Sequence, residues 1–258
     1  MLVVGTSGFS YDDWVGKVYP EGTKKGEMFS LYAQQFKSVE INSTFYALTG
    51  PRLFERLLAK APDGFGFSVK AYKGLTHEVE IETFGDLMVK YRQELSPLVE
   101  AGGLQAVLCQ FPWKLKPEKA AKELLERLVG ELGDLPLVFE FRNQEWMRES
   151  VFEWMTRHKV GFCSVDEPQL KGLMPPEARA TSNVGYIRFH GRNSAKWWHH
   201  TEAWERYDYL YSMEELREWL PKIRQVEATT QLTLVYFNNH YAGQAVKNAQ
   251  MLLELTED

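Results

Sequence analysis

Residues 138–146, VFEFRNQEW, decide the fold. Val138, Phe139 and Phe141 read as a buried strand, yet Glu140 and Arg142 interrupt it at alternate positions. Side chains two apart on a strand share one face. Val138, Glu140 and Arg142 therefore point one way, and Leu137, Phe139 and Phe141 the other. An apolar face for covering helices and a polar face turned inward is what a closed parallel barrel with a site at its mouth requires.

Seven further strand-like runs surround this one: LVVGTS (2–7), SVEIN (38–42), FGFSVK (65–70), LQAVLCQ (104–110), VGFCSV (160–165), VGYIRFH (184–190) and LTLVYFN (232–238). Helical patterns lie between most of them. Residues 83–99 place Phe84, Leu87, Met88, Tyr91, Leu95 and Leu98 at helical spacing, with Thr83 and Asp86 as a cap. Residues 118–132 follow Pro117 and stop at Gly133, and Ser212 with Glu215 forms a capping-box pattern before Leu216. Helices at 24–36, 51–60, 148–158 and 242–254 complete the set.

Strand followed by helix, repeated about eight times, predicts a parallel sheet with right-handed crossovers. Eight strands favour closure into a (β/α)8 TIM barrel in α/β class over an open sheet. The sixth and seventh units should be irregular, because EPQLKGLMPPEARATSN (167–183) carries too many prolines for a good helix. No linker or fixed repeat divides the chain, so residues 1–258 are expected to form one domain.

Composition narrows the function. The 258 residues are 44% hydrophobic and 25% charged, ordinary for a globular domain, with a formal net charge of −5. That charge disfavours nucleic acid as a partner. Cys109 and Cys163 sit inside apolar runs and read as buried thiols of a reducing compartment. No run reaches the length of a membrane span, and the N-terminus lacks a signal-peptide pattern. A cytoplasmic location without membrane contact is expected. Nothing in the pattern assigns an oligomeric state.

Parity places polar residues at the strand ends. Glu40 and Asn42 alternate with Val39 and Ile41, and Ser68 and Lys70 with Phe67 and Val69. Ser7, Gln110, Asp166, His190 and Asn238 end the remaining strands, with Arg188 one layer below His190. All of these are expected to face the barrel axis. Burying so many polar groups without partners would cost about 1–3 kcal/mol each, so they must pair with one another, bind a ligand, or both.

The motifs GTSGFSYDDWVGKVYP, FKSVEINSTFY, FSVK with Thr76 and His77, LCQFP, VFEFRN with Trp146, YIRFHGR and VYFNNHYAGQAVKNA occur in that order along nearly the whole chain. The sequence thereby resembles the domain of unknown function 72 family (YecE-like). The resemblance implies a TIM barrel and no particular activity. WWHHTEAWE (197–205) is richer in Trp and His than the resemblance leads one to expect.

The mouth residues suggest chemistry. Lys70, His77, Arg142, Arg188, His190 and Arg192 supply donors for an anion, and Arg offers bidentate recognition of phosphate or carboxylate. Ser7, Asn42, Gln110, Asn238 and Asn239 are the expected neutral substrate contacts. HGRN after the seventh strand and NNHYAGQA after the eighth occupy the positions where barrels often hold phosphate. Glu140 or Glu40 would serve as base, with His190 and Asp166 as further acid–base candidates. No cofactor is expected. A divalent metal on Glu40, Glu140, Asp166 and His190 is the alternative, with oxygen ligands favouring Mg or Mn. The leading expectation is an enzyme, a hydrolase or isomerase, acting on a small anionic molecule. Competing classes are a non-catalytic ligand-binding protein and a metal-dependent phosphodiesterase or nuclease. Two carboxylates with Trp14, Tyr46, Trp113, Trp146, Trp197 and Trp198 also suggest a glycosidase, although Arg and Lys density suits a neutral sugar badly.

Overall fold

The computed structural model describes residues 1–257. Eight strands form one parallel sheet: β1 (Leu2–Thr6), β2 (Ser38–Ile41), β3 (Gly66–Lys70), β4 (Leu104–Gln110), β5 (Leu137–Glu140), β6 (Gly161–Asp166), β7 (Val184–Phe189) and β8 (Leu232–Phe237). From β2 to β8 each strand pairs with its sequence neighbours, and β1 pairs with β8, from Leu2↔Thr233 to Thr6↔Phe237. The seam between β1 and β2 closes near the mouth, through the bridge Ser7↔Glu40 and the bond from Gly8 N to Glu40 O at 2.7 Å. Gly5 permits this approach, since a Cβ there would lie 2.5 Å from the Ser38 carbonyl oxygen. The result is a nearly closed eight-stranded barrel.

Eight helices cover it: α1 (Lys25–Tyr32), α2 (Arg52–Leu58), α3 (Phe84–Glu100), α4 (Lys119–Leu132), α5 (Glu149–Arg157), α6 (Ser194–Trp197), α7 (Met213–Glu227) and α8 (Gln244–Glu257). The Ser212–Glu215 box forms as expected: Glu215 N donates to Ser212 Oγ at 3.3 Å and Ser212 N to Glu215 Oε2 at 2.9 Å. Thr83 makes no side-chain cap; its backbone is already helical, so the hydroxyl is not presented to the free N–H groups. The irregularity falls where the prolines predict it. Residues 167–183 form no helix, and α6 is a single turn in the long loop before α7.

The covering layer is aromatic. Phe67, Val69, Val107, Phe139, Phe141 and Phe189 are buried beneath the helices. Inside the barrel the lower layer is polar: Tyr236 OH lies 2.5 Å from Ser38 Oγ and 3.0 Å from Ser68 Oγ. Cys109 and Cys163 are both free and buried. Among the described residues, no helix is long and apolar enough to cross a membrane.

The parity expectation holds on seven strands and fails on β6. In a parallel ladder, registered partners share a face. Cys163 is registered with Tyr186 and Val165 with Arg188, so the odd-numbered residues of β6 face the axis. Cys163 Sγ reaches Glu140 Oε2 at 3.7 Å. Asp166 consequently points out towards α7, and the inward group at the end of this strand is Glu167.

Candidate functional site

Arg188 on β7 stands at the centre of the mouth. Its Nη1 donates to Glu140 Oε2 and its Nη2 to Glu40 Oε1, both at 2.6 Å. Glu40 also accepts from Tyr186 OH at 2.7 Å, and Ser7 Oγ accepts from Arg188 Nη2 at 3.4 Å. Arg142, just past β5, lies 2.5 Å by its Nε from Glu140 Oε1 and donates from Nη1 to Glu167 Oε2 at 3.1 Å. Glu40, Glu140 and Glu167 are all fully buried. One guanidinium thus joins β2 to β5 across the barrel, and a second joins β5 to the loop after β6.

Electrostatics follow from that arrangement. Burial alone would raise the Glu140 carboxyl, but Arg142, Arg188 and His190 together hold it well below the usual range. Glu167 goes the other way: burial outweighs Arg142 and raises it to about 7. Asn238 Nδ2 donates to His190 Nδ1 at 3.1 Å, which leaves the proton on Nε2, facing Glu140 Oε1 at 3.1 Å. Burial and then Arg142 push His190 well below its ordinary value, so the ring is neutral.

Above this layer lies a cavity of about 410 Å³, within the range of small-molecule sites. Arg142, Arg188 and Lys70 line it, whereas Glu40, Glu140 and Glu167 do not. The cations face the space and their carboxylates lie behind. Asn42 and Asn238 also reach it, as do Tyr11, Tyr207 and His240 from the loops. Tyr11 and His240 stack at 4.5 Å with 3° between their planes, and Tyr11 OH donates to Ser7 O at 2.6 Å. Asn42 Oδ1, Arg188 Nε and His240 Nδ1 are buried polar atoms without hydrogen-bond partners. Arg142 Nε also lacks a hydrogen bond, and four such atoms on residues that line one cavity suit a polar ligand.

Lys70 differs from the arginines. Among the described residues its Nζ makes no ion pair or hydrogen bond, and it sits 4.1 Å above the Phe45 ring. Burial, followed by the Arg188 guanidinium and opposed by Glu140, lowers its amine to about 7.

Several expected site residues are placed elsewhere. Asp166 accepts from Tyr211 OH, Trp219 Nε1 and Arg192 Nη2, at 2.6, 2.6 and 2.8 Å, on the outer face of the sheet. Arg192 also meets Glu215 and Glu218 at 3.2 and 3.1 Å, so three carboxylates already neutralise the expected anion clamp. Asn239 Nδ2 donates to Tyr209 O and Asn248 Oδ1, tying loop to helix. His77 lies beyond Phe45, edge-on to its ring at 4.9 Å, and faces a neighbouring cavity with Lys114; burial lowers its imidazole to about 4. Gln110 is registered with Glu140, but its amide donates to Phe111 O at 2.6 Å instead of reaching the cavity.

In the two loops expected to hold phosphate, two backbone donors are already engaged. Gly191 N donates to Tyr211 OH at 2.8 Å, and Ala242 N to Asp13 Oδ2 at 2.6 Å. The four-residue metal set does not converge either, because Asp166 faces outward and the Glu40 and Glu140 oxygens are engaged by Arg188. Among the described residues no group of three or more His, Cys, Asp or Glu is arranged to hold a metal ion. The glycosidase reading rested on Glu40 and Glu140; Glu140 is held ionised, and neither carboxylate lines the cavity.

Residues that strand parity alone did not single out include Tyr186, Glu167, Tyr11 and His240. Tyr186 was within reach, two positions before Arg188 on the same face. Tyr11 and His240 come from loops 229 positions apart, as does the contact between Asp13 and Ala242.

Comparison with known proteins agrees with this architecture. A family model described as "Protein of unknown function DUF72" matches residues 3–258. The protein YunF of Bacillus subtilis, from the group UPF0759, is 30% identical over 271 residues, covering 100% of this chain and 95% of that protein. The related YecE of Escherichia coli is 29% identical over 137 residues, 52% of this chain and 46% of its own. A crystal structure of a DUF72 family protein from Thermotoga maritima superposes with a TM-score of 0.90 at 38% identity, covering 100% of both chains.

Proposed function

The chain belongs to the DUF72 family of proteins of unknown function, and for it we propose that the barrel mouth binds a small anionic metabolite, bearing phosphate or carboxylate, and acts on it as an enzyme. The observation that carries this reading is the layering of charge. Arg142, Arg188 and Lys70 line the cavity, while Glu40, Glu140 and Glu167 lie beneath them. An anion entering the cavity meets donors that are already desolvated and held in place, so little reorganisation opposes binding.

The division of labour changes with the geometry. Glu140 and Glu40 position Arg142 and Arg188 instead of abstracting protons, because both already accept from Arg188 and Glu140 is also ion-paired with Arg142. His190 and Asn238 hold Glu140 from the side. Groups left to act on a bound molecule include the Lys70 amine, the Asn42 amide, the His240 imidazole and the Tyr46 and Tyr207 hydroxyls.

Thermal unfolding in the presence of anions tests the reading. Phosphate, sulfate, small dicarboxylates and sugar phosphates are compared at constant ionic strength. Binding at 100 times Kd should stabilise by about 2.7 kcal/mol, or roughly 5–10 °C in a domain of this size. Lys70→Met should shrink the rise. A Tm unchanged across the whole panel overturns anion binding. Catalysis is tested by incubating the protein with a small-molecule cell extract: an anionic metabolite should be consumed by the parent protein and spared by Lys70→Met.

A further inference from the structure

We infer that Lys70 is a covalent nucleophile, whose amine condenses with the aldehyde or ketone carbon of an anionic substrate while Arg142 and Arg188 hold the phosphate or carboxylate. The inference rests on the anion reading and narrows it to carbonyl-bearing anions.

Geometry carries it. Lys70 lines the same cavity as the two arginines, at the C-terminal end of β3, where barrels place reacting groups. Its Nζ has no carboxylate partner among the described residues. Lysines that lack an ion pair elsewhere keep their charge in water, and others pair at the surface, such as Lys73 with Glu78, Lys116 with Glu145 and Lys196 with Glu205. Lys70 is both unpaired and buried in the cavity wall. A lysine kept as a plain cation gains by pairing. The Phe45 ring face favours the ammonium. Burial without a carboxylate partner beside two guanidinium groups outweighs it, so the amine is set up to lose its proton and expose its lone pair. The lowered pKa of about 7 agrees with this placement, since burial and Arg188 both disfavour the ammonium.

The chemistry balances without any co-reactant. The neutral Nζ lone pair attacks the carbonyl carbon, and the carbonyl π electrons move to oxygen. A proton passes from nitrogen to that oxygen, giving a carbinolamine. The nitrogen lone pair then expels the hydroxyl group, which takes up a proton and leaves as water. Amine and carbonyl yield an imine and one water, with no change of oxidation state. The imidazole of His240, a lining residue of the same cavity whose Nδ1 has no hydrogen-bond partner, is the group we assign to relay the proton. A protonated imine between two guanidinium groups would draw electrons from the adjacent carbon, the general use of such lysines in isomerisation and carbon–carbon cleavage.

Reductive trapping tests the inference. The protein is incubated with pyruvate, glyoxylate or pyridoxal 5′-phosphate, reduced with borohydride, digested and mapped by mass spectrometry. The expected result is a stable adduct on Lys70, formed at least tenfold faster than on any exposed lysine. Inorganic phosphate should protect it, and neutral propanal should label it at least tenfold more slowly than pyruvate. Lys70→Met should lose the adduct. Labelling confined to exposed lysines with all three probes overturns the inference. If phosphate still raises Tm in that case, anion binding survives and Lys70 is only a cation. If the phosphate response is absent as well, both readings fall.

Discussion

Arg188 Nη1 donates to Glu140 Oε2 at 2.6 Å in the middle of the barrel, with neither side chain open to solvent. The same guanidinium donates to Glu40 at the same distance on the opposite side. Two buried carboxylates therefore share one cation, and Arg142 supplies the second positive charge to Glu140. Removing one partner of such a set leaves a charge without compensation, which costs far more than the pair itself contributes.

Arg188→Met should destabilise by about 3–5 kcal/mol, a drop in Tm of roughly 10 °C. Adding Glu40→Gln and Glu140→Gln to the same protein should recover a large part of the loss, because the stranded charges go with their partner. Arg188→Lys should not rescue, since one ammonium lacks the fork that reaches both carboxylates. Thermal denaturation of the variants measures each effect. A near-neutral Arg188→Met would show that the network does not hold buried charge.

Asp166→Ala should separate structure from function. Its carboxylate accepts from Tyr211 OH and the Trp219 indole N–H, both buried, and from Arg192. Loss of the acceptor strands two buried donors at about 1–3 kcal/mol each. The expected outcome is a Tm lower by several degrees with the phosphate-induced rise intact. A variant with ordinary stability and no phosphate response would move Asp166 back into the site.

The sequence made the barrel legible where apolar and charged residues alternate cleanly, as they do around Glu140 and Arg142. β6 was not legible by that rule. Its two faces carry Ser164 with Asp166 and Cys163 with Glu167, so each ends in a carboxylate and periodicity cannot choose between them. Ladder register with β7 chooses, and register is a non-local property. Arg192 presented the same difficulty. Nothing local distinguishes it from Arg188, yet Glu215 and Glu218 of α7 neutralise one and the barrel axis encloses the other. The open amine of Lys70 was invisible for the converse reason, because the absence of a partner is settled by distances across the barrel.

Glu167 predicts a pH dependence on the acidic side. Its folded pKa is raised from 4.5 to about 7, chiefly by burial. Between those values the folded state binds more protons than the unfolded one, so stability falls as pH rises through this window. The full loss amounts to about 3 kcal/mol. Glu167→Gln, which imitates the protonated form, should match the parent near pH 4.5 and exceed it at pH 8. Denaturant titrations at both pH values measure the difference. A Glu167→Gln difference that stays constant with pH would show that Glu167 does not titrate in this window.

Lys70 predicts a dependence of opposite slope on the basic side. Its folded pKa is lowered from 10.5 to about 7. Between those values the unfolded chain binds the extra proton, so stability rises with pH through the window. Below pH 7 the folded protein carries the whole cost of an ammonium among guanidinium groups, and above 10.5 it carries none. Lys70→Met removes that cost and breaks no hydrogen bond or ion pair among the described residues. A shift from 10.5 to about 7 corresponds to about 5 kcal/mol, part of which is offset by the lost contact with the Phe45 ring. The variant should therefore melt roughly 10 °C higher than the parent at pH 6. The gain should shrink towards zero by pH 10. A bound phosphate would reverse the order at pH 6, because the ammonium then gains a partner that Met cannot provide. Melting curves of both proteins at pH 6 and pH 10, each with and without phosphate, read all of these differences. A parent more stable than Lys70→Met at pH 6 without phosphate would mean that the amine already has a charged partner, and would remove the basis for a free lone pair at neutral pH.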